Sequence, residues 1–195
     1  VFEVVCRGQS ATLGAVLGPK GVGDSVRDLV NVAAAMKLAA HFEAEYPEYP
    51  QFDSLITPTN RAGAVSDALK WIASVSGPGI KPLLGAQVLR AFNLIDDSDR
   101  LAPEESKYAK QVLDLLGRKG EGQVMNRSEL VETENDAERW MGFKLETDYL
   151  AVVLAALAAT GRVVVALPQG QLDSSASDTL GKVPVADIAA FRHVK

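Results

Sequence analysis

Three stretches carry residue types at spacings that chemistry could use. The first is Gly18-Pro19-Lys20-Gly21-Val22-Gly23-Asp24-Ser25. It has the Gly-x4-Gly spacing and the terminal Ser of a phosphate loop, in which backbone N–H groups cradle phosphates and a Lys neutralises them. Asp24 stands where that Lys belongs and repels a phosphate, while Lys20 lies inside the loop. The second, Phe92-Asn93-Leu94-Ile95-Asp96-Asp97, resembles the strand-plus-carboxylate partner of such a loop, but it ends a helical pattern. The third, Asp97-Ser98-Asp99, begins like a calcium loop, yet it lacks the central Gly and places Leu101 at the next ligand position. The expectation is a glycine turn before a capped helix in the first case, and a solvated acidic connector in the other two.

Other reactive types are sparse. A lone Cys6 closes no internal disulfide, and His41 and His193 are too few for a Cys/His zinc site. Cys6 sits in an apolar, strand-like run and is expected to be packed. His41 beside Phe42 is expected to be partly buried. No Ser-His-Asp order, GxSxG elbow or HExxH is present. No catalytic, cofactor-binding or metal-ligating residue is therefore assigned. A mild basic stretch, Lys107, Lys110, Arg118, Lys119 and Arg127, is diluted by Glu104, Glu105, Asp114 and Glu121. With Arg162 these cations would serve a weak contact with a DNA backbone or a protein partner, without base readout.

The elements that must position these residues follow from periodicity and punctuation. Short strands are expected within residues 1–17. A helix capped by Asp24 or Ser25 is expected to run to about Tyr46; its Val/Ala-rich faces predict burial on more than one side. The loop Tyr46–Phe52 would either tether the chain to its helices or offer a docking patch, with the tether favoured. Helices are expected from Asn60 to Ser76, closed by Gly77, and from Pro82 to Ile95. The polar run Asp96–Arg100 suggests a boundary between a helical subdomain with short N-terminal strands, 1–100, and a second subdomain, 101–195.

In the second subdomain Pro103 opens a helix that stops at Gly117, and a short extended piece covers Gln123–Met125. Asn126-Arg127-Ser128-Glu129 has the form of a capping box opening a short helix. Residues 133–146 read as irregular, anchored by Trp140 and Phe143. A long Ala/Leu/Val helix from Thr147 to Thr160 follows, closed by Gly161. Then come a β-branched strand (Arg162–Leu167), a Pro168-Gln169-Gly170 turn, a weak strand near Leu172 and a helix after Pro184. Helix, strand, helix, helix, strand, turn, strand is the order of a winged helix. The expected class is mainly α (α+β), with a winged-helix-like second subdomain carrying a small β-hairpin. The helix 147–160 has Asp148 as its one charge, so it should lie inside the fold and not in a DNA groove.

Composition narrows the classes. The chain has 195 residues, 47% apolar and 23% charged, with a formal net charge of −5. Residues 1–100 carry 9 basic and 11 acidic side chains, and residues 101–195 carry 11 and 14. Neither part is a basic tail, which argues against bulk nucleic-acid or anionic-membrane binding. The longest apolar run, Tyr149–Ala159, is about half of the ~18 residues a membrane span needs. No membrane partner and a cytoplasmic location are expected. The opening run Val1–Cys6 has no Met and is already strand-like, so a piece of a longer polypeptide is expected.

Three stretches taken together resemble a known family. They are His41-Phe42-Glu43-Ala44-Glu45-Tyr46-Pro47-Glu48-Tyr49-Pro50 with Ser54-Leu55-Ile56-Thr57; Gly120-Glu121-Gly122-Gln123-Val124-Met125-Asn126-Arg127-Ser128-Glu129-Leu130; and Phe143-Lys144-Leu145-Glu146 with Leu150–Leu167. Over residues 24–195 this resembles an internal region of the large P-loop ATPases of bacterial BREX and Pgl phage-resistance systems, the PglY/BrxC-like proteins. The resemblance implies antiviral defence, a multidomain parent that hydrolyses ATP with Mg at motifs elsewhere in the polypeptide, and partners among its other domains or other defence proteins. No ATP-site residue carries over, because Asp24 breaks the phosphate-loop pattern. Three readings stand: a non-catalytic interaction or structural module of such an ATPase, with no cofactor in this chain; a DNA-binding winged-helix module; and a divergent NTPase. The last requires a parallel sheet with residues 18–25 at its edge.

Overall fold

The computed structural model describes residues 3–6, 8–17, 25–54, 56–75 and 81–195. The chain forms two compact units, Val1–Tyr49 and Pro50–Lys195. The boundary expected at residues 100 and 101 falls inside the second unit. Asp96–Arg100 is a tight loop there, closed by a β-bridge between Ile95 and Leu101.

In the first unit, β1 (Glu3–Cys6) and β2 (Gln9–Thr12) form an antiparallel hairpin. Helix α1 (Leu13–Leu17) follows, and Thr12 Oγ1 accepts from the Ala15 N–H at 3.2 Å. Helix α2 spans Val26–Glu45. Ser25 caps it, as expected: its Oγ accepts from the Asp28 N–H at 3.2 Å and donates to the Asp28 carboxylate at 2.6 Å. The burial expected for α2 on more than one side is not met. Val26, Val30, Met36 and Phe42 are exposed.

The second unit is built around one helix, α6 (Thr147–Ala159). Every side chain from Tyr149 to Ala158 is at most 1% exposed. Its Ala and Leu residues favour the helix, and the lack of a polar face obliges it to be covered on all sides. Helices α3 (Arg61–Val75) and α4 (Leu83–Ala91) pack against each other, and α3 packs on α6. The α3–α4 approach depends on Gly85, where a Cβ would lie 2.3 Å from the Asp67 carbonyl oxygen. Asn60 opens α3 by accepting the Thr57 N–H at 2.7 Å; the proposed closure at Gly77 lies outside the described residues.

A 3-10 turn at Pro103–Glu105 leads into α5 (Lys107–Lys119), capped by the buried Ser106, whose Oγ accepts from the Ala109 N–H at 3.3 Å. The helix does not stop at Gly117. It ends at Gly120, which has the left-handed φ of +94° that a terminating glycine supplies. Beyond it, β3 (Met125–Asn126) and a 3-10 turn, Arg127–Glu129, replace the short helix. Residues expected to be irregular form an antiparallel meander instead: β4 (Val131–Glu134), β5 (Ala137–Trp140) and β6 (Leu145–Glu146). Asn135 and Asp136 turn it with φ of +49° and +60°, the conformation of a two-residue hairpin loop.

After α6, Gly161 closes the helix with φ +70°, as expected. Strands β7 (Val165–Leu167) and β8 (Gly170–Leu172) form the expected hairpin. A long 3-10 segment (Ser174–Lys182) and α7 (Val185–Ala189) lead to β9 (His193–Val194). The second sheet has the order β3-β9-β7-β8. The fold is mixed α+β with small sheets, and every strand pairing among the described residues is antiparallel.

Rings join the helices. Phe52 stacks on Tyr149 at 5.6 Å, and Phe92 lies 5.2 Å from Tyr149 and 4.7 Å from Tyr108. Tyr108 lies 4.7 Å from Phe143, which meets Trp140 edge-on at 5.0 Å. Phe52 is therefore a tether, and Trp140 and Phe143 are the anchors the sequence indicated. Gly85→Ala is expected to lower stability by about 1–3 kcal/mol, because only backbone could yield. Gly117→Ala, on an open stretch of α5, should raise it by about 0.5–1 kcal/mol. Urea unfolding of the two variants checks the pair of signs.

Candidate functional site

The glycine loop, residues 18–24, lies outside the described residues; Ser25 is the cap of α2. The strand-like companion is not a strand of a parallel sheet. Phe92 is buried at the end of α4, Asn93 turns with φ +50°, and Ile95 makes only the single bridge to Leu101.

The acidic run is a turn that binds itself. Asp96 Oδ1 accepts the N–H groups of Ser98 and Arg100, each at 2.9 Å. Its Oδ2 accepts Arg100 Nε at 2.9 Å and Nη2 at 2.8 Å. The Arg100 N–H above all, then its guanidinium, hold the Asp96 carboxyl below its usual 3.8. Asp99, at φ +55°, accepts from Arg90 at 2.7 Å. The open depression beside this turn, lined by Asn93, Asp96, Asp97, Ser98 and Glu105, is accordingly acidic. Among the described residues no group of His, Cys, Asp and Glu could hold a metal ion, and no helix is long and apolar enough to cross a membrane.

The six cations singled out by sequence separate into two kinds. Lys119 and Arg127 are committed to neighbouring acids. Lys119 meets Glu129 at 2.7 Å. Arg127 donates to both Glu138 oxygens, at 2.8 and 2.6 Å, and its Nε donates to the Ala189 carbonyl at 2.9 Å. One side chain thus ties the β3–β4 turn to β5 and to the end of α7. The expected capping box is also present: Glu129 accepts the Asn126 N–H at 2.8 Å. The Lys119 ammonium first, then that N–H, hold the Glu129 carboxyl below 4.5; Arg127 does the same for Glu138. Lys107, Lys110 and Arg118 recur along the exposed side of α5 with Asp114 between them, and Lys107 lies over the Tyr108 ring at 5.2 Å. Arg162 is exposed at the turn after α6. Near the end of α5, Leu113 and Leu116 border a second, more apolar depression with Gly120 and Lys195.

Two features escaped the sequence. Arg61, the first residue of α3, donates to Glu146 at 2.9 Å and to Asp148 at 3.2 Å, and Arg139 meets Glu146 at 3.3 Å. These partly buried charges join α3, β5 and the start of α6, where acids also complement the helix dipole. No local pattern foretells pairs more than 80 residues apart. The second is a pair of buried polar atoms without a hydrogen-bond partner, Trp140 Nε1 and Gln111 Oε1. Gln111 presses its amide against Gly142, where a Cβ would lie 2.5 Å from Nε2.

Residues 61–195 match the fourth domain of a family described as a family of unknown function, DUF6079. The chain belongs to this family. The DUF6079 match begins at the first residue of α3 and ends just after β9, so it covers the α6-centred core and all the ion pairs above. No curated protein and no solved structure matches the chain.

In the DUF6079 domain the lowered carboxyls fix the sign of the acid response. Each contributes stability that is present in full above its unfolded value, near 4.5 for Glu138, and is lost as pH falls through the lower folded value. The chain should therefore be more stable than Glu138→Gln at pH 7, and the difference should vanish on acidification below about pH 4.5. Thermal unfolding of both proteins across pH 2.5–7 measures it; a difference that persists undiminished at the acid end contradicts the pairing.

Proposed function

We propose that this chain is a non-catalytic structural or interaction module of a large multidomain cytoplasmic protein. Its partners are the other domains of that polypeptide or other proteins of the same defence system. The observation that carries this reading is the match of the α6-centred unit to a domain numbered fourth in its family. The charged residues that first suggested chemistry support it, because they hold the unit's own turns together. Asp96 closes a loop, and Arg127 and Lys119 pin the β3–β4 turn.

The parent assigned by this proposal is a phage-defence ATPase of the BREX/Pgl type, with ATP and Mg handled elsewhere in the polypeptide. Its support is the resemblance of the stretches around Tyr46–Pro50, Gly120–Leu130 and Leu150–Leu167. The winged-helix relationship belongs to the same proposal. Its support is the small antiparallel sheet β3-β9-β7-β8, with β3 between α5 and α6 and the β7–β8 hairpin after α6. Helix α6, which such a scaffold would use as its recognition helix, is buried from Tyr149 to Ala158, so the scaffold would act through its surface turns and α5.

Thermal unfolding with Mg-ATP tests the non-catalytic part. Binding at a hundred times Kd would raise Tm by about 5–10 °C for a chain of this size. No rise is expected; a rise abolished by Gly23→Asp would install the NTPase reading in its place. A DNA mobility shift that weakens with salt and is removed by Lys110→Glu with Arg118→Glu would install the DNA reading. For the defence assignment, Leu154→Asp in the core of α6 should lower phage resistance of a host carrying the complete system. Unchanged plating would refute that assignment.

A further inference from the structure

Helix α2 is longer than any other helix among the described residues, and it is the least covered. Its sequence from Leu29 to Phe42 contains only Asn31, Lys37 and His41 as polar residues. A helix that is apolar on nearly every side belongs in an interior. In the first unit, the buried apolar side chains among the described residues are Leu17 and Ala33. That is too small a core to hold a 20-residue helix, because isolated helices gain most of their stability from packing. Meanwhile Val26, Val30, Met36, Phe42 and Tyr46 are between 46% and 60% exposed. Phe42 and Tyr46 stack on one another at 6.1 Å, and His41 lies 5.6 Å from Phe42, so the exposed rings form one aromatic surface at the end of the helix.

The start of the family match places these residues outside the matched domain. The match starts at Arg61, so α2 lies wholly before the domain numbered fourth, on the side where the preceding domain of the same polypeptide ends. We infer that α2 is a core helix of that preceding domain, and that Val26, Val30, Met36, Phe42 and Tyr46 are packed against the polypeptide N-terminal to this chain. The inference rests on the module reading and gives it a surface and a partner. A domain joined directly to the helix reaches it at high effective concentration, so no large affinity is needed. To cover these side chains the partner's surface must be apolar.

Hydrogen–deuterium exchange on the full-length polypeptide of the same reading frame, compared with the 195-residue chain, tests this. The α2 amides should exchange at least ~10-fold more slowly in the full-length protein. Val30→Asp with Phe42→Asp in the full-length protein should restore fast exchange in α2 and leave α6 protected, which shows that the second unit stays folded. Equal exchange of α2 in both proteins overturns the inference, as does slow exchange that the double variant does not release. A reading frame with no residues before Val1 overturns it at once. Light scattering of the 195-residue chain should give a monomer; a dimer dispersed by the same two substitutions assigns the face to a second copy and also overturns it. Stabilisation by Mg-ATP would defeat the non-catalytic reading and leave α2 exchange unchanged, so the two failures are distinct.

Discussion

A helix with no polar face has one way to exist in water, which is to be surrounded. From Tyr149 to Ala158, α6 offers no side that solvent could cover favourably. The rest of the second unit can be understood as the means of surrounding it. Helix α3 lies along it, tied at its start by Arg61 to Glu146 and Asp148. The rings of Phe52 and Phe92 close over Tyr149, and Tyr108 leads on from Phe92 to Trp140 and Phe143. Helix α7, the meander and the 3-10 segment 174–182 complete the enclosure. The wrapping comes from segments on both sides of the acidic run 96–100.

The polar residues follow from the same demand. Wrapping a helix with short segments requires many turns, and each turn leaves backbone groups to satisfy. Asp96, Ser106, Glu129 and Asp173 each accept backbone N–H groups at a turn or a cap. Arg127 extends the device: one guanidinium spans the Glu138 carboxylate and a carbonyl at the end of α7. Such exposed pairs individually add little, about 0–1 kcal/mol. Their value here is geometric, since they set where short strands and turns lie.

Sequence was informative wherever one residue decides a local conformation. Ser25, Gly161, Pro184 and the Asn126–Glu129 box marked their boundaries because capping and left-handed φ are local physics. The interior position of α6 was legible for a similar reason, since Asp148 is the one charge in a run of apolar side chains. Sequence failed where strands are short and polar. Glu132, Thr133, Glu138 and Arg139 have no apolar alternation, and only the Asn135-Asp136 pair signalled the hairpin. It also misjudged Gly117, a glycine inside a helix that ends three residues later at Gly120. Of the six cations read as a contact surface, Lys119 and Arg127 pair with Glu129 and Glu138, a pairing the sequence did not show because these acids approach only in the folded chain. For α2 the sequence's demand for burial and the exposure in the structure disagree, and the disagreement is itself informative.

The position of β9 has a consequence for how the protein is made. His193 and Val194 lie between β3 and β7, pairing with Met125 and Asn126 on one edge and with Val165 and Ala166 on the other. The sheet therefore lacks its middle until those two residues are available. During synthesis, α3 and α4 can meet as soon as both leave the ribosome, since their contacts are nearly local. Strand β3 must wait for the whole of α6, the β7–β8 hairpin and α7 to be translated. Through that interval Met125, which ends up buried, lacks its strand partner Val194 and has α5 beside it. The nascent unit thus carries an open seam between β3 and β7 until β9 emerges.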